Sequence, residues 1–209
     1  MFNAQTLALF MTATLALNLT PGPDMMYVVA RSAGEGRREG IVSSLGIAAG
    51  TVVHTAAVAL GLASLLATVP VAFMIVKYAG ALYLIYLGIR TLWSAGEIAP
   101  PAVRHAALGK IFRQGVITNV LNPKVALFFL AFLPQFVDRK AAPVPLQIIL
   151  LGLLFNLSGT TVNIVVALIA SRAGQWSRDR IRTPRVMRVL SGAVFIGLGL
   201  RLALLERSR

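Results

Sequence analysis

Six stretches of this chain run the length of a bilayer crossing with almost no charge, and this restricts its folds more than any motif does. A helix needs about 20 mostly apolar residues to cross the hydrocarbon core. Candidates fall at roughly 5–30, 41–68, 70–93, 112–136, 145–171 and 186–205. Only 13% of the residues are charged, where a soluble domain carries roughly 25%. The pattern predicts an all-α integral membrane protein with six transmembrane helices in a single domain over residues 1–209. No Lys or Arg precedes the first apolar run in "MFNAQTLALF", so that run reads as a retained helix and not as a cleaved signal. Cysteine is absent and there are two histidines, which argues against disulfides, thiolate sites or a bound metal. No cofactor is expected.

The net charge of +13 does not point to nucleic acid, because the basic residues cluster between the apolar runs. Arg31, Arg37 and Arg38 follow the first run; Arg90, Arg104, Lys110 and Arg113 surround the loop at 94–111. Arg172, Arg178, Arg180, Arg182, Arg185 and Arg188 lie between the fifth and sixth runs. Those thirteen share one side of a six-span topology, against Arg139, Lys140, Arg201, Arg207 and Arg209 on the other. Basic loops stay in the cytoplasm, which puts both termini outside it and lets the thirteen meet anionic lipid.

A weak internal repeat runs through the apolar segments. A shift of 102 residues lays Thr20 and Pro21 on Asn122 and Pro123, and Gly50, His54 and Gly61 on Gly152, Asn156 and Asn163. "KYAGALYLIYLGIR" (77–90) also resembles "RVLSGAVFIGLGLR" (188–201) with one gap. The halves, about 1–93 and 112–209, each hold three runs. An odd number makes the second half enter the membrane from the opposite side, an inverted repeat of the kind found in secondary transporters.

Two of the runs are interrupted. "LNLTPGPDMM" (17–26) holds Thr20, Pro21, Gly22, Pro23 and Asp24; "NVLNPKVALFF" (119–129) holds Asn122, Pro123 and Lys124. Broken helices occur at membrane depth only where they face protein or a cavity. Thr20 and Asn122 are the predicted N-caps of the second half-helices, with Pro21 and Pro123 at their first positions. Each start would turn its positive dipole end toward an anionic ligand such as a carboxylate. The alternative is that the prolines only kink the helices.

Asp24 and Lys124 are the one acid and the one central base in the spans, and each costs roughly 2.5–3.5 kcal/mol to insert. Lys124 opposes the dipole of its own helix, so an anion is expected near it: Asp24, or a substrate carboxylate. A permanent Asp24–Lys124 strut is the competing reading. Asn18 and Asn119, just upstream of the breaks, join the candidates. His54 shares a face with Gly46 and Gly50 and so faces a neighbouring helix, for an interhelical hydrogen bond or for proton handling. Gly152, Asn156, Gly159, Thr160 and Asn163 make the matching face of the fifth run. No metalloprotease, phosphate-loop or paired-aspartate signature is present, and no nucleophile set suggests an enzyme.

"LNLTPGPDMMYVVARSAGEGRREGIVSSLGIAAGTVVHTAAVALGLASLL" followed by "GVITNVLNPKVALFFLAFLPQFV" closely resembles the LysE/RhtB family of bacterial amino-acid exporters, and "KYAGALYLIYLGIRTL" and "LSGAVFIGLGLRLAL" fit it too. The resemblance implies a six-helix inner-membrane protein that exports amino acids or close derivatives, coupled to the proton gradient. It does not name the substrate. The spans hold no second carboxylate for a cationic side chain, which favours neutral amino acids such as homoserine, threonine or leucine. A passive channel or a structural membrane subunit is the alternative, and a homo-oligomer is left open.

The charge asymmetry predicts that a cysteine placed within 173–184 is shielded from an impermeant thiol reagent in intact cells, while one at 139–142 reacts. The reverse labelling pattern would overturn the orientation.

Overall fold

The computed structural model describes residues 2–62, 70–93, 97–98, 106–138, 140–176 and 181–182, with isolated residues between 189 and 204. Its helices are α1 (Ala4–Leu19), α2 (Pro23–Gly34), α3 (Arg37–Ala57), α4 (Pro70–Trp93), α5 (Leu108–Val120), α6 (Pro123–Leu127) and α7 (Val144–Trp176). The turn before Pro70, most of the loop at 94–111 and most of the sixth predicted span lie outside the described residues. Arg37–Gly61 and Val144–Arg172 are each long and apolar enough to cross a membrane. Leu108–Val120 and Pro123–Phe136, bent by 47°, are long and apolar enough together for a broken span or a re-entrant loop.

Local chemistry sets the boundaries. The Asn3 side chain accepts from the Thr6 N–H at 2.7 Å and starts α1. Thr20 ends it in an extended conformation, because a residue before proline is pushed out of the α region. Between α2 and α3 the chain turns at Gly36, whose φ of 127° suits glycine and little else. Gly61, at φ 130°, kinks the end of the Val58–Leu62 π-turn that follows α3. A second π-turn, Phe128–Phe132, carries α6 into the short 3-10 segment Leu133–Phe136.

Packing runs opposite to that of a water-soluble helix bundle. Along α7 the residues Leu146, Ile149, Leu153, Leu157, Val165 and Ile169 are exposed, at the three- and four-residue spacing of one helix face. Such an apolar stripe suits lipid. Its opposite face holds Phe155, Gly159, Asn163 and Ala167. The interior is built on close approach of backbones: α3 packs most extensively on α5 and then on α7. A Cβ on Gly50 would lie 2.7 Å from Asn119 Cβ, and one on Gly115 would lie 2.8 Å from the Ser43 carbonyl oxygen. The Phe112 carbonyl stands where a Cβ of Gly46 would be, and a Cβ on Gly152 would meet Thr55 at 2.5 Å. The expectation that His54, Gly46 and Gly50 share a contact face is met by this α3–α5 seam.

Described parts of the three basic segments meet one another. The Ala106 N–H donates to Glu35 Oε2 at 2.9 Å, Arg37 lies beside Arg172, and Glu97–Ile98 pairs antiparallel with Ile181–Arg182. Phe10, Phe128, Phe129, Phe132, Phe136 and Phe155 form an aromatic cluster. Phe128 and Phe155 stand 5.0 Å apart, and Phe10 and Phe136 5.3 Å apart.

Gly46→Leu and Gly50→Leu should each lower the melting temperature of the detergent-solubilised protein by the equivalent of about 1–3 kcal/mol or more. Gly109, where an added Cβ meets nothing within 4 Å, should accept alanine without loss. A thermal-unfolding series on the three variants checks this.

Candidate functional site

The two breaks meet each other. α1 stops at Leu19, and the chain passes through Thr20, Pro21 and Gly22 before α2 begins at Pro23 with Gly22 as its N-cap. This corrects the expected register. Pro21 is not the first residue of the second half-helix, and Thr20 does not cap it. Its hydroxyl donates backward to the Ala16 carbonyl at 2.7 Å and finishes α1 instead. The second break follows expectation: the Asn122 side chain accepts from the Lys124 N–H at 3.0 Å, with Pro123 at the first position of α6.

Compared start to start, the half-helices equate Pro23 with Pro123, and hence Asp24 with Lys124. The second position of each carries one charge, of opposite sign. For Asp24 the place is favourable, since a carboxylate suits a helix N-terminus. Lys124 resolves its conflict by leaving. Its Nζ reaches across to donate to the Leu17 carbonyl at 3.0 Å and the Thr20 carbonyl at 2.9 Å, at the C-terminal end of α1, where a cation is favoured. The side chain passes over Gly22, where an added Cβ would come within 3.0 Å of Nζ.

The hydrogen-bond partners of Lys124 are therefore a pair of carbonyl oxygens, with Asp24 close enough to act on it through space. Among the described residues Asp24 and Lys124 form no ion pair. Both are buried, at 8% and 6% exposure. Asp24 Oδ2 accepts from Asn119 Nδ2 at 2.8 Å, while Oδ1 is buried without a partner. Asn119 is held in turn by His54, whose Nε2 lies 3.1 Å from its backbone carbonyl, and more loosely by Thr51 Oγ1 at 3.4 Å.

Asp24 and Lys124 line a common cavity of about 30 Å³, together with Asn18, Asn119, Asn156 and ten further residues. Asn18 donates to Ser158 Oγ at 3.1 Å, and Asn156 to the Ala48 carbonyl at 3.2 Å. Of the other predicted residues, Thr20, Pro21, Gly22, Pro23, Asn122 and Pro123 shape the breaks without lining the cavity. His54 sits behind Asn119, its ring stacked 5.7 Å from Phe129. Tyr83 and Tyr86 are absent from the cavity wall, and Tyr86 is exposed.

Met25, Thr51 and Phe155 line the cavity unforeseen. Met25 follows Asp24 directly and Thr51 lies three residues before His54, so helical spacing from the named residues offered a signal for both. Further along α2, away from the cavity wall, lies a polar cluster. Arg31 pairs with Glu35 and donates to Gln114 Oε1 at 2.7 Å, and the Tyr27 hydroxyl donates to the Ile111 carbonyl at 2.8 Å.

Two helix breaks thus meet at a small buried cavity lined by one acid and one base. The family model of the LysE type translocators matches residues 15–206. The chain belongs to the LysE type translocator family. It is similar to the leucine efflux protein of Salmonella choleraesuis, at 31% identity over 94% of each chain, and equally to that of Salmonella typhimurium. It is 34% identical, over 88% of each chain, to an uncharacterized membrane protein of Pseudomonas aeruginosa. No solved structure matches it. This translocator is thus a membrane transport protein and not an enzyme.

Because each charge has its own anchor, the translocator should tolerate their removal unequally. Asp24→Asn keeps an oxygen for Asn119 and should cost under about 1 kcal/mol. Lys124→Met strands the buried Thr20 carbonyl, while that of Leu17 keeps the Thr20 N–H, and should cost about 1–3 kcal/mol for the unsatisfied group. Thermal unfolding of both variants in detergent checks the order, and equal losses would point back to a strut.

Proposed function

We propose that this translocator exports neutral amino acids from the cytoplasm in exchange for protons. One observation carries the reading: a buried carboxylate and a buried ammonium line one cavity, separately anchored and not paired with each other. A zwitterionic amino acid carries the complement of both. Lys124 has three N–H groups, two of them committed to α1, and the third is available to a substrate carboxylate. Asp24 receives the α-ammonium or the coupling proton. No further charged side chain lines the cavity, which favours a neutral substrate side chain; the leucine efflux relatives support the same class.

In this reading the six spans form two inverted three-helix repeats in the bacterial inner membrane, with both termini outside the cytoplasm and the basic loops against anionic lipid. The opposite charges at equivalent helix starts support the repeat. A cavity of about 30 Å³ holds about one or two water molecules, so loading an amino acid requires the helices to part. The breaks at Pro21–Gly22 and Leu121–Asn122 supply hinges for that motion. The closures are then the Arg31–Glu35–Gln114 cluster on the cytoplasmic side and the phenylalanine cluster on the other.

The test is export of labelled amino acids from proteoliposomes under an imposed pH gradient. Leucine, threonine and homoserine should be moved, and Asp24→Asn should lower the gradient-driven rate by at least about 100-fold, within the range attributed to loss of a proton-transfer group. Rates that ignore the gradient would favour a passive channel. A wild-type rate in Asp24→Asn would remove that residue from the mechanism.

A further inference from the structure

The exporter reading leaves two cations, the substrate ammonium and the proton, with an interest in one carboxylate. We infer that Asp24 Oδ1 is the single cation position of the cavity, taken alternately by a proton and by the α-ammonium, so that each amino acid bound expels one proton. The inference rests on the exporter reading and deepens it to a coupling rule and a substrate requirement.

The two oxygens of Asp24 are not equivalent. Oδ2 is occupied by Asn119 Nδ2 at 2.8 Å; Oδ1 is buried with no partner, on a residue that lines the cavity. The other elements around it offer no competing acceptor with a charge. α1 presents Asn18, α5 Asn119, and α7 Asn156 and Asn163, all neutral. From α3 comes Thr51, with His54 behind Asn119 and its Nε2 already engaged by the Asn119 carbonyl. α6 presents Lys124, whose ammonium is tied to the Leu17 and Thr20 carbonyls and not to Asp24. One free anionic oxygen accommodates one cation at a time.

The direction of coupling follows from which charge carries the proton. If Lys124 did, its protonated form would hold the substrate carboxylate, and proton and substrate would leave together. That dissipates the gradient's drive for export. At Asp24 the two exclude each other: the O–H bond of the protonated carboxyl breaks, the proton goes to solvent, and the ammonium takes its place without a new covalent bond. Substrate outward and proton inward then alternate on one atom. A substrate must therefore carry a charged amine beside its carboxylate, and N-acyl amino acids and 2-hydroxy acids cannot displace the proton.

The experiment measures proton release when leucine, threonine or homoserine is added to the purified full-length protein in weakly buffered detergent solution, with binding followed in parallel by calorimetry. Release should climb toward one proton per amino acid bound as the pH is lowered, and apparent affinity should weaken by up to about tenfold per pH unit where release is complete. The 2-hydroxy analogue of leucine should neither release protons nor compete. Asp24→Asn should release none at any pH. Binding with no proton release at any pH at which the protein stays folded overturns the inference and leaves the exporter reading standing. Absence of binding by all three amino acids overturns the exporter reading and this inference with it.

Discussion

A helix that stops in the protein interior leaves backbone carbonyls with no water to receive them, and the architecture around the cavity depends on how this chain satisfies those at the buried end of α1. Lys124 does so, donating to Leu17 and Thr20 from the opposite break. Charged hydrogen bonds of this kind contribute about 1.5–3 kcal/mol each, against a desolvation cost of several kcal/mol for the buried cation. The consequences spread outward. The lysine stem needs the space over Gly22, and the two breaks become one joint. The ammonium is drawn away from Asp24, so the two charges remain separately available.

Asp24 owes its placement to a different force, the close packing of α3 on α5. With no water to drive helices together in lipid, association relies on surface fit and interhelical hydrogen bonds. Gly46 and Gly50 on α3 and Gly115 on α5 allow the backbones to touch. That approach brings His54 to the Asn119 carbonyl and turns the Asn119 amide toward Asp24. A bulkier residue at any of these glycines would act on the carboxylate from a distance, through the position of Asn119.

In the proposed exporter, two charges fixed at the centre suit any zwitterion. In that reading, discrimination among neutral amino acids falls to the uncharged wall. Here α7 supplies both kinds of surface, with Phe155 on the apolar side and Asn156, Thr160 and Asn163 on the polar one. None of these carries a charge that could select a cationic or anionic side chain.

The sequence by itself determined the class of the molecule, because length, apolarity and helical period are local properties and lipid permits few solutions to them. The helix breaks at Pro21 and Pro123, the placing of Asp24 and Lys124 beside them, and the contact face of His54, Gly46 and Gly50 were all legible on that ground. Only the tertiary structure decided what the pieces do to one another. Both Pro21 and Pro23 can begin a helix, and the choice of Pro23, with Thr20 folded back onto α1, depends on the whole joint between the breaks. Likewise a lysine four carbons long can meet an aspartate or a helix end with equal ease in sequence. Which it meets depends on where α1 terminates in space. The cavity wall is undetermined by sequence for the same reason, since α1, α2, α3, α5, α6 and α7 all contribute to it and no local pattern records which faces will converge.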